Sequence, residues 1–121
     1  TALGIAAKTV REMVRLFGCD AANIRAAIGP AIGQCCFETD ADVPEALTAA
    51  LDNAVQPYIT WDGRKYHIDL KGINALWLHR AGVTQTDICP ACTACEPTLY
   101  WSHRRMGNAR GSQAAMISLE E

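Results

Sequence analysis

Three stretches of this 121-residue sequence hold residue types that could do chemistry. The first is Gly29-Pro30-Ala31-Ile32-Gly33-Gln34-Cys35-Cys36-Phe37-Glu38. Glycines let a backbone approach a ligand closely, and a loop following a strand is where α/β proteins often bind one. A thiol there serves as nucleophile or metal ligand only with a base or further ligands nearby. The competing reading is a tight turn whose two cysteines pack as small hydrophobes.

The second stretch is Cys89-Pro90-Ala91-Cys92-Thr93-Ala94-Cys95, with two overlapping C-x-x-C spacings that suit zinc or a redox pair. A structural zinc site wants four ligands, and no second C-x-x-C is present. The histidines are His67, His79 and His103, none spaced to complete the set. A thioredoxin-like motif belongs between a strand and a helix, whereas here a strand is expected to follow. On spacing alone, a metal or redox role is the weaker reading of this loop.

The third stretch is Ser102-His103-Arg104-Arg105, with Arg110 shortly after. Two adjacent guanidiniums at a strand end cannot both face a core, and Arg suits bidentate recognition of phosphate or carboxylate. The alternatives are an ion pair with Glu38, Asp69 or Glu96, or a plain surface pair. Ser102 and His103 are no triad on adjacency, because strand neighbours point to opposite faces.

The elements that must position these residues follow from periodicity. Leu3, Ala6, Ala7, Val10, Met13, Val14 and Phe17 share one helical face, and Gly18 stops that helix. Ile24–Ile28 reads as a buried strand ending at Gly29-Pro30. Asp42 reads as the N-cap of a second helix carrying Leu47, Ala50, Leu51 and Ala54, closed by Pro57. Tyr58–Trp61 and Arg64–Leu70 flank Asp62-Gly63, a strong hairpin signal. Asp69 caps a third helix with Leu70, Ile73, Leu76, Trp77 and Arg80 on one face and Gly82 after it. Strands are expected at Thr84–Ile88, Thr98–Ser102 and Gln113–Leu119, with a polar turn at Met106–Gly111 between the last two. Helices alternating with short strands make the class α/β or α+β.

Composition narrows the partners. Half the residues are hydrophobic and 20% are charged, as in a globular protein. A formal charge of −2 gives no electrostatic reason to bind nucleic acid or an acidic membrane. No apolar run approaches the roughly 20 residues that span a bilayer, and Lys8, Arg11 and Arg15 interrupt the N-terminal segment as no signal peptide would allow. The clustering of the six cysteines argues for a reduced, cytosolic protein rather than a disulfide scaffold.

In order and spacing these segments resemble the YfiH-like laccase-domain family, also described as polyphenol oxidases, zinc-dependent purine nucleoside phosphorylases and peptidoglycan editing factors. Gly29-Pro-Ala-Ile-Gly33 runs into Cys36-Phe-Glu38; Tyr66-His-Ile-Asp-Leu70 is followed by Asn74; and Gly82-Val83 precedes Cys92-Thr93. Tyr100-Trp-Ser-His-Arg-Arg105 and Gln113-Ala-Ala-Met-Ile117 complete the series. The resemblance implies a cytosolic α/β fold with a layered mixed sheet. It also implies a metal, usually zinc and sometimes copper, held by two His and one Cys. The associated activities are phosphorolysis of adenosine, inosine, guanosine or methylthioadenosine, adenosine deamination, and laccase-like phenol oxidation.

The family's ligand motifs are a His after Gln-Val, a Cys in T-x-D-C-x-P, and a His opening H-A-G-W-R-G; none occurs here. Residues 1–121 are therefore expected to be the C-terminal portion of a single such domain, starting past the last ligand, and this chain is expected to hold no metal. That portion would need its N-terminal half or self-association to complete the fold. No catalytic residue is assigned. Purine nucleoside and phosphate are the expected partners, with Arg104 and Arg105 for anion contact and Gly29, Gly33 and Cys36 lining the site. Arg110-Gly111-Ser112 departs from the Gly-Arg of many members, so no anion role passes to Arg110. The rival readings are an editing hydrolase acting on a peptidoglycan precursor and a non-catalytic half that only completes the fold.

Overall fold

A computed structural model describes residues 1–120. Helix α1 spans Ile5–Phe17 and is closed by Gly18 in a left-handed conformation (φ 63°), whose N–H returns to the Val14 carbonyl. Among its apolar residues Ala7 and Val10 are buried, while Phe17 is 77% exposed and Leu3, 81% exposed, lies before the helix. The apolar stripe is thus only partly covered. The start of the helix is docked by Trp77, whose indole N–H donates to the Thr1 carbonyl (3.0 Å). Gly4 (φ 63°) has room for no Cβ, which would meet that indole ring at 3.1 Å.

Strand β1 (Arg25–Ile28) pairs in parallel with β5 (Gln85–Ile88), from Arg25 opposite Gln85 to Ile28 opposite Ile88. β1 is not the buried strand its composition suggests. Ala26 and Ile28 pack toward Val10, Leu78 and Val83, while Arg25 and Ala27 alternate outward and are exposed. Strand β2 (Glu38–Thr39), unmarked in the sequence, joins β4 (Tyr66–Ile68) and β3 (Ile59–Trp61) in an antiparallel sheet of order β2-β4-β3. The α/β class holds, with parallel and antiparallel pairing in separate sheets among the described residues.

Helix α2 (Asp42–Leu51) begins at Asp42 itself; Ala41 is the N-cap and no side chain caps it. The α-helix ends before Pro57, where Asp52 adopts φ 55°, and a 3-10 segment Asp52–Tyr58 carries the chain through Ala54 and Pro57. The hairpin forms as expected, with Asp62 Oδ1 accepting from the Arg64 and Lys65 N–H groups at 2.8 Å each. Helix α3 (Leu70–Arg80) is capped by Asp69, whose Oδ1 accepts from Gly72 N–H (3.0 Å). A Cβ at Gly72 would lie 2.5 Å from Tyr58, so glycine lets this cap and the hairpin meet. Leu47, Leu51, Val55, Ile68 and Ile73 form the main core where α2, α3 and the antiparallel sheet converge.

Two expected strands are absent among the described residues. Thr98–Ser102 is turn and extended chain, and Ser102 instead caps the one-turn helix α4 (His103–Met106) by accepting from Arg105 N–H (3.4 Å). Gln113–Leu119 pairs with nothing, and Met116, Ile117 and Leu119 are 98%, 78% and 92% exposed. Apolar composition favours a strand only where a neighbouring edge supplies ladder partners. No described helix is long and apolar enough to cross a membrane.

Candidate functional site

Parallel neighbours send their following loops out at the same end, the usual position for sites in open α/β sheets. β1 and β5 do this here. The loop after β1 carries Cys35 and Cys36, and the loop after β5 carries Cys92 and Cys95. The loops are tied by Cys89 N–H to the Ile28 carbonyl (2.9 Å), by Thr93 N–H to the Ala31 carbonyl (3.1 Å), and by a parallel bridge between Ala31 and Cys92.

The result is a cluster of four free thiols whose Sγ atoms all lie within 4.8 Å of one another. Cys95 Sγ is 3.7 Å from Cys35 Sγ and 3.5 Å from Cys36 Sγ. Gly33 N–H donates to Cys92 Sγ at 3.2 Å. A Cβ on Gly33 would sit 3.2 Å from Cys35 Sγ and from Cys92 Cβ, so what this glycine lets the backbone approach is the thiols themselves. The loop's turn is closed by Cys36 and Phe37 N–H groups on the Gly33 carbonyl, both 3.0 Å.

The four sulfurs are electrostatically unequal. Burial opposes ionisation of Cys92, yet N–H groups of Gly33, Cys95 and Ala94 aimed at its sulfur draw its pKa down to about 6. Cys36 is pushed up to about 12, first by its hydrogen bond with Cys95 and then by burial. Burial likewise raises Cys35. Cys92 is thus the one cluster thiol shifted toward ionisation.

Cationic side chains brace both loops through carbonyl oxygens. Lys71, only 7% exposed, donates from Nζ to Cys89 O (2.7 Å) and Ala91 O (2.8 Å). Arg105 Nη1 donates to Ala94 O (2.8 Å), and Arg104 Nη1 donates to Glu38 O (2.7 Å) with its guanidinium 4.8 Å from the Phe37 ring centroid. Neither arginine forms the carboxylate pair weighed from sequence, and both residues are exposed. Gln34 reaches from the thiol loop to the hairpin, donating to Tyr58 O (3.3 Å), Thr60 Oγ1 and His67 O (both 3.4 Å).

Of the residues singled out in the sequence, Gly33 and Cys36 meet at the thiol cluster. Arg104 and Arg105 sit beside it, whereas Gly29 is exposed with nothing within 4 Å of its would-be Cβ. Cys89, grouped with Cys92 and Cys95 by spacing, stands outside the cluster. Sequence reasoning looked for a partner to the C-x-x-C-x-x-C loop among the histidines and a second C-x-x-C and missed Cys35 and Cys36; the signal was a Cys-Cys pair following one strand and a C-x-x-C following another. Lys71 was missed outright, since nothing local marks a lysine as buried.

The two-His, one-Cys centre that the family resemblance implies finds no matching donors here. His67 is held between Gln34 O and Asp62 Oδ2 (both 2.9 Å), His79 is exposed, and His103 meets Arg110. The donor groups gathered among the described residues are the four thiols and Glu38–Asp62–His67. Neither set is two His and one Cys.

Helices packed beside a parallel strand pair, with thiol-bearing loops at its C-terminal end and a separate antiparallel sheet, define a mixed α/β fold. The chain belongs to the family described as multi-copper polyphenol oxidoreductase laccase, whose model matches residues 1–120. It is 30% identical over 127 residues to purine nucleoside phosphorylase LACC1 of Mus musculus, covering 100% of this chain and 29% of that protein. It is 39% identical over 106 residues to adenosine deaminase RL5 of an unknown prokaryotic organism, covering 85% of this chain and 40% of that protein. The crystal structure of Bacillus licheniformis hypothetical protein YfiH superposes with a TM-score of 0.82 at 37% identity, over 86% of this chain and 40% of that one. The chain thus spans well under half the length of these relatives.

Proposed function

We propose that this chain is the C-terminal portion of a metal-dependent purine nucleoside phosphorylase, acting on adenosine, inosine, guanosine or methylthioadenosine. The observation that carries the reading is family membership over residues 1–120 together with a relative named for that activity. In phosphorolysis a phosphate oxygen bonds to ribose C1′ while the C1′–N9 bond breaks. The electron pair and a proton go to the departing purine, and ribose 1-phosphate is the other product. The family's zinc or copper would supply its chemistry from residues outside this sequence, so no step is assigned to it here.

This chain contributes positioning and anion contact. Each guanidinium of the Arg104–Arg105 pair spends one Nη1 on a loop carbonyl and keeps further N–H donors at an exposed position. Donors fixed before phosphate arrives stabilise its charge without reorganising. Gly29, Gly33 and Cys36 mark the loop that lines the same end of the parallel strands. Adenosine deamination, in which water adds at C6 and ammonia leaves, is the second reading, favoured by the resemblance to adenosine deaminase RL5.

The test is product analysis on the complete protein with inosine or adenosine, with and without phosphate. Hypoxanthine from inosine or adenine from adenosine, with ribose 1-phosphate, appearing only with phosphate supports the first reading. Inosine from adenosine regardless of phosphate supports the second. Neither product from any of the nucleosides would overturn both.

A further inference from the structure

We infer that Cys35, Cys36, Cys92 and Cys95 form a structural site for one zinc ion, which locks the loop after β1 to the loop after β5. This site is separate from the two-His, one-Cys centre of the family, shares no residue with it, and stands independently of the proposed reaction.

The geometry carries the inference. A tetrahedron of Zn–S bonds of about 2.3 Å has sulfur–sulfur edges of about 3.8 Å. The separations of 3.7 and 3.5 Å from Cys95 to Cys35 and Cys36 already lie within about 0.3 Å of such an edge, and with every pair inside 4.8 Å the rest need close by no more than about 1 Å. They are far from the roughly 2.05 Å of a disulfide. A cluster of several irons would hold its thiolates further apart than these are, so the spacing favours a mononuclear centre.

The donor set points the same way. Four thiolates leave no open coordination position, the mark of a structural rather than catalytic zinc. Soft sulfur ligands in tetrahedral array select zinc over hard cations. Four thiolates around a divalent ion leave net negative charge, and the surroundings answer it. Lys71 and Arg105 anchor on carbonyls of the loop that carries Cys92 and Cys95, and Gly33 N–H already points at Cys92 Sγ. Such N–H and cation partners around the sulfurs steady a metal site. Gly33 leaves the space that four converging sulfurs require.

The sequence expectation of no metal rested on the absent family ligand motifs and on a missing fourth ligand for the Cys89–Cys95 loop; the parallel pairing of β1 and β5 removes the second ground. Cys36 and Cys95 are 59 residues apart in sequence, so a metal joining them closes a long loop and stabilises the junction by restricting the unfolded chain.

The test is metal content of the complete protein, purified under reducing conditions and dialysed, compared with the Cys36→Ser/Cys95→Ser variant. Cys19→Ser/Cys89→Ser serves as control, because neither residue belongs to the cluster. The wild type and the control should carry one more zinc per chain than the cluster variant. Exchange of this ion for cobalt should give the visible spectrum of tetrahedral thiolate ligation, a readout that does not require any variant to fold. Equal zinc in all three proteins, or a cobalt spectrum lacking thiolate charge-transfer bands, would overturn the inference. So would a reduced wild type whose cluster thiols all react freely without a chelator, or a mass 2 Da low from a Cys36–Cys95 disulfide under those conditions.

Discussion

The two sides of helix α3 are built differently. Toward α2 and the antiparallel sheet, Leu51, Val55, Ile68 and Ile73 are wholly buried and Leu47 is 1% exposed. Toward α1 and the parallel pair the core cluster is only Val10, Leu78 and Val83, with Ala7 of α1 also buried, while Ile5, Leu16, Phe17 and Ile88 stay 66%, 59%, 77% and 45% exposed. A parallel pair is normally covered on both faces, yet β1 and β5 keep outward residues in solvent. One side is a closed core and the other leaves much of its apolar surface exposed. The thiol cluster and the arginine pair lie at the end of the exposed side, where the loops after β1 and β5 emerge.

The strongest way to break this contrast is to look for association. Exposed apolar surface beyond a few hundred Å² marks an interface or an aggregation hazard, and the parallel pair adds open edges. This chain by itself should dimerise or aggregate unless residues from outside it cover α1. Light scattering on dilute protein should show more than monomer mass; a monomer with a sharp, cooperative melt would show both sides to be self-sufficient.

Next in size is a core truncation. Ile73→Ala should cost about 2–5 kcal/mol, whereas Leu16→Ala on the exposed stretch of α1 should stay within about 0.5 kcal/mol. Urea melts of this chain by itself, at high dilution, measure both. Equal losses would mean that α1 is covered in a way its exposure does not show.

At the site end, Arg104→Ala or Arg105→Ala should weaken phosphate dependence roughly ten- to a hundredfold, matching the loss of about 1.5–3 kcal/mol for a charge-assisted contact. The melting temperature should move little. Steady-state kinetics against phosphate decides; unchanged dependence in both variants would leave the pair as a brace for the two loops and nothing more.

The smallest effect belongs to the closed side. His67 is raised above its ordinary pKa, first by its hydrogen bond to Asp62, and Asp62 is held well below the usual carboxylate range by the Lys65 and Arg64 N–H groups and by His67. The His67 contribution to stability is therefore full below its unfolded pKa and is lost as pH rises through the folded value. That of Asp62 is present above its unfolded pKa and is lost as pH falls. NMR titration of His67 should show the raised midpoint, and Asp62→Asn should return it toward the ordinary value.

How legible each part was follows from the range of the signal. The α1 stop at Gly18, the Asp62-Gly63 hairpin and the Asp69 cap were readable because each depends on residues a few positions apart. Strands were read well only where a partner existed. Gln113–Leu119 has strand composition and no ladder, and β2 has a ladder and too few residues to announce it. The four-thiol cluster was hidden for the opposite reason. Each half is plain in the sequence, but their meeting depends on β1 lying beside β5, a pairing that no local pattern encodes. Arg104 and Arg105 were expected at a strand end and stand on a helix turn, because Ser102 is its cap.

The docking of Trp77 gives the chain a built-in optical gauge. Trp61 and Trp101 are 56% and 47% exposed and should emit as hydrated indoles. Trp77 is half-buried beneath Gly4, with its indole N–H on the Thr1 carbonyl. Lifting the first turn of α1 away from α3 would wet that ring alone, so a red shift in one tryptophan's emission would follow the separation of these two helices in real time.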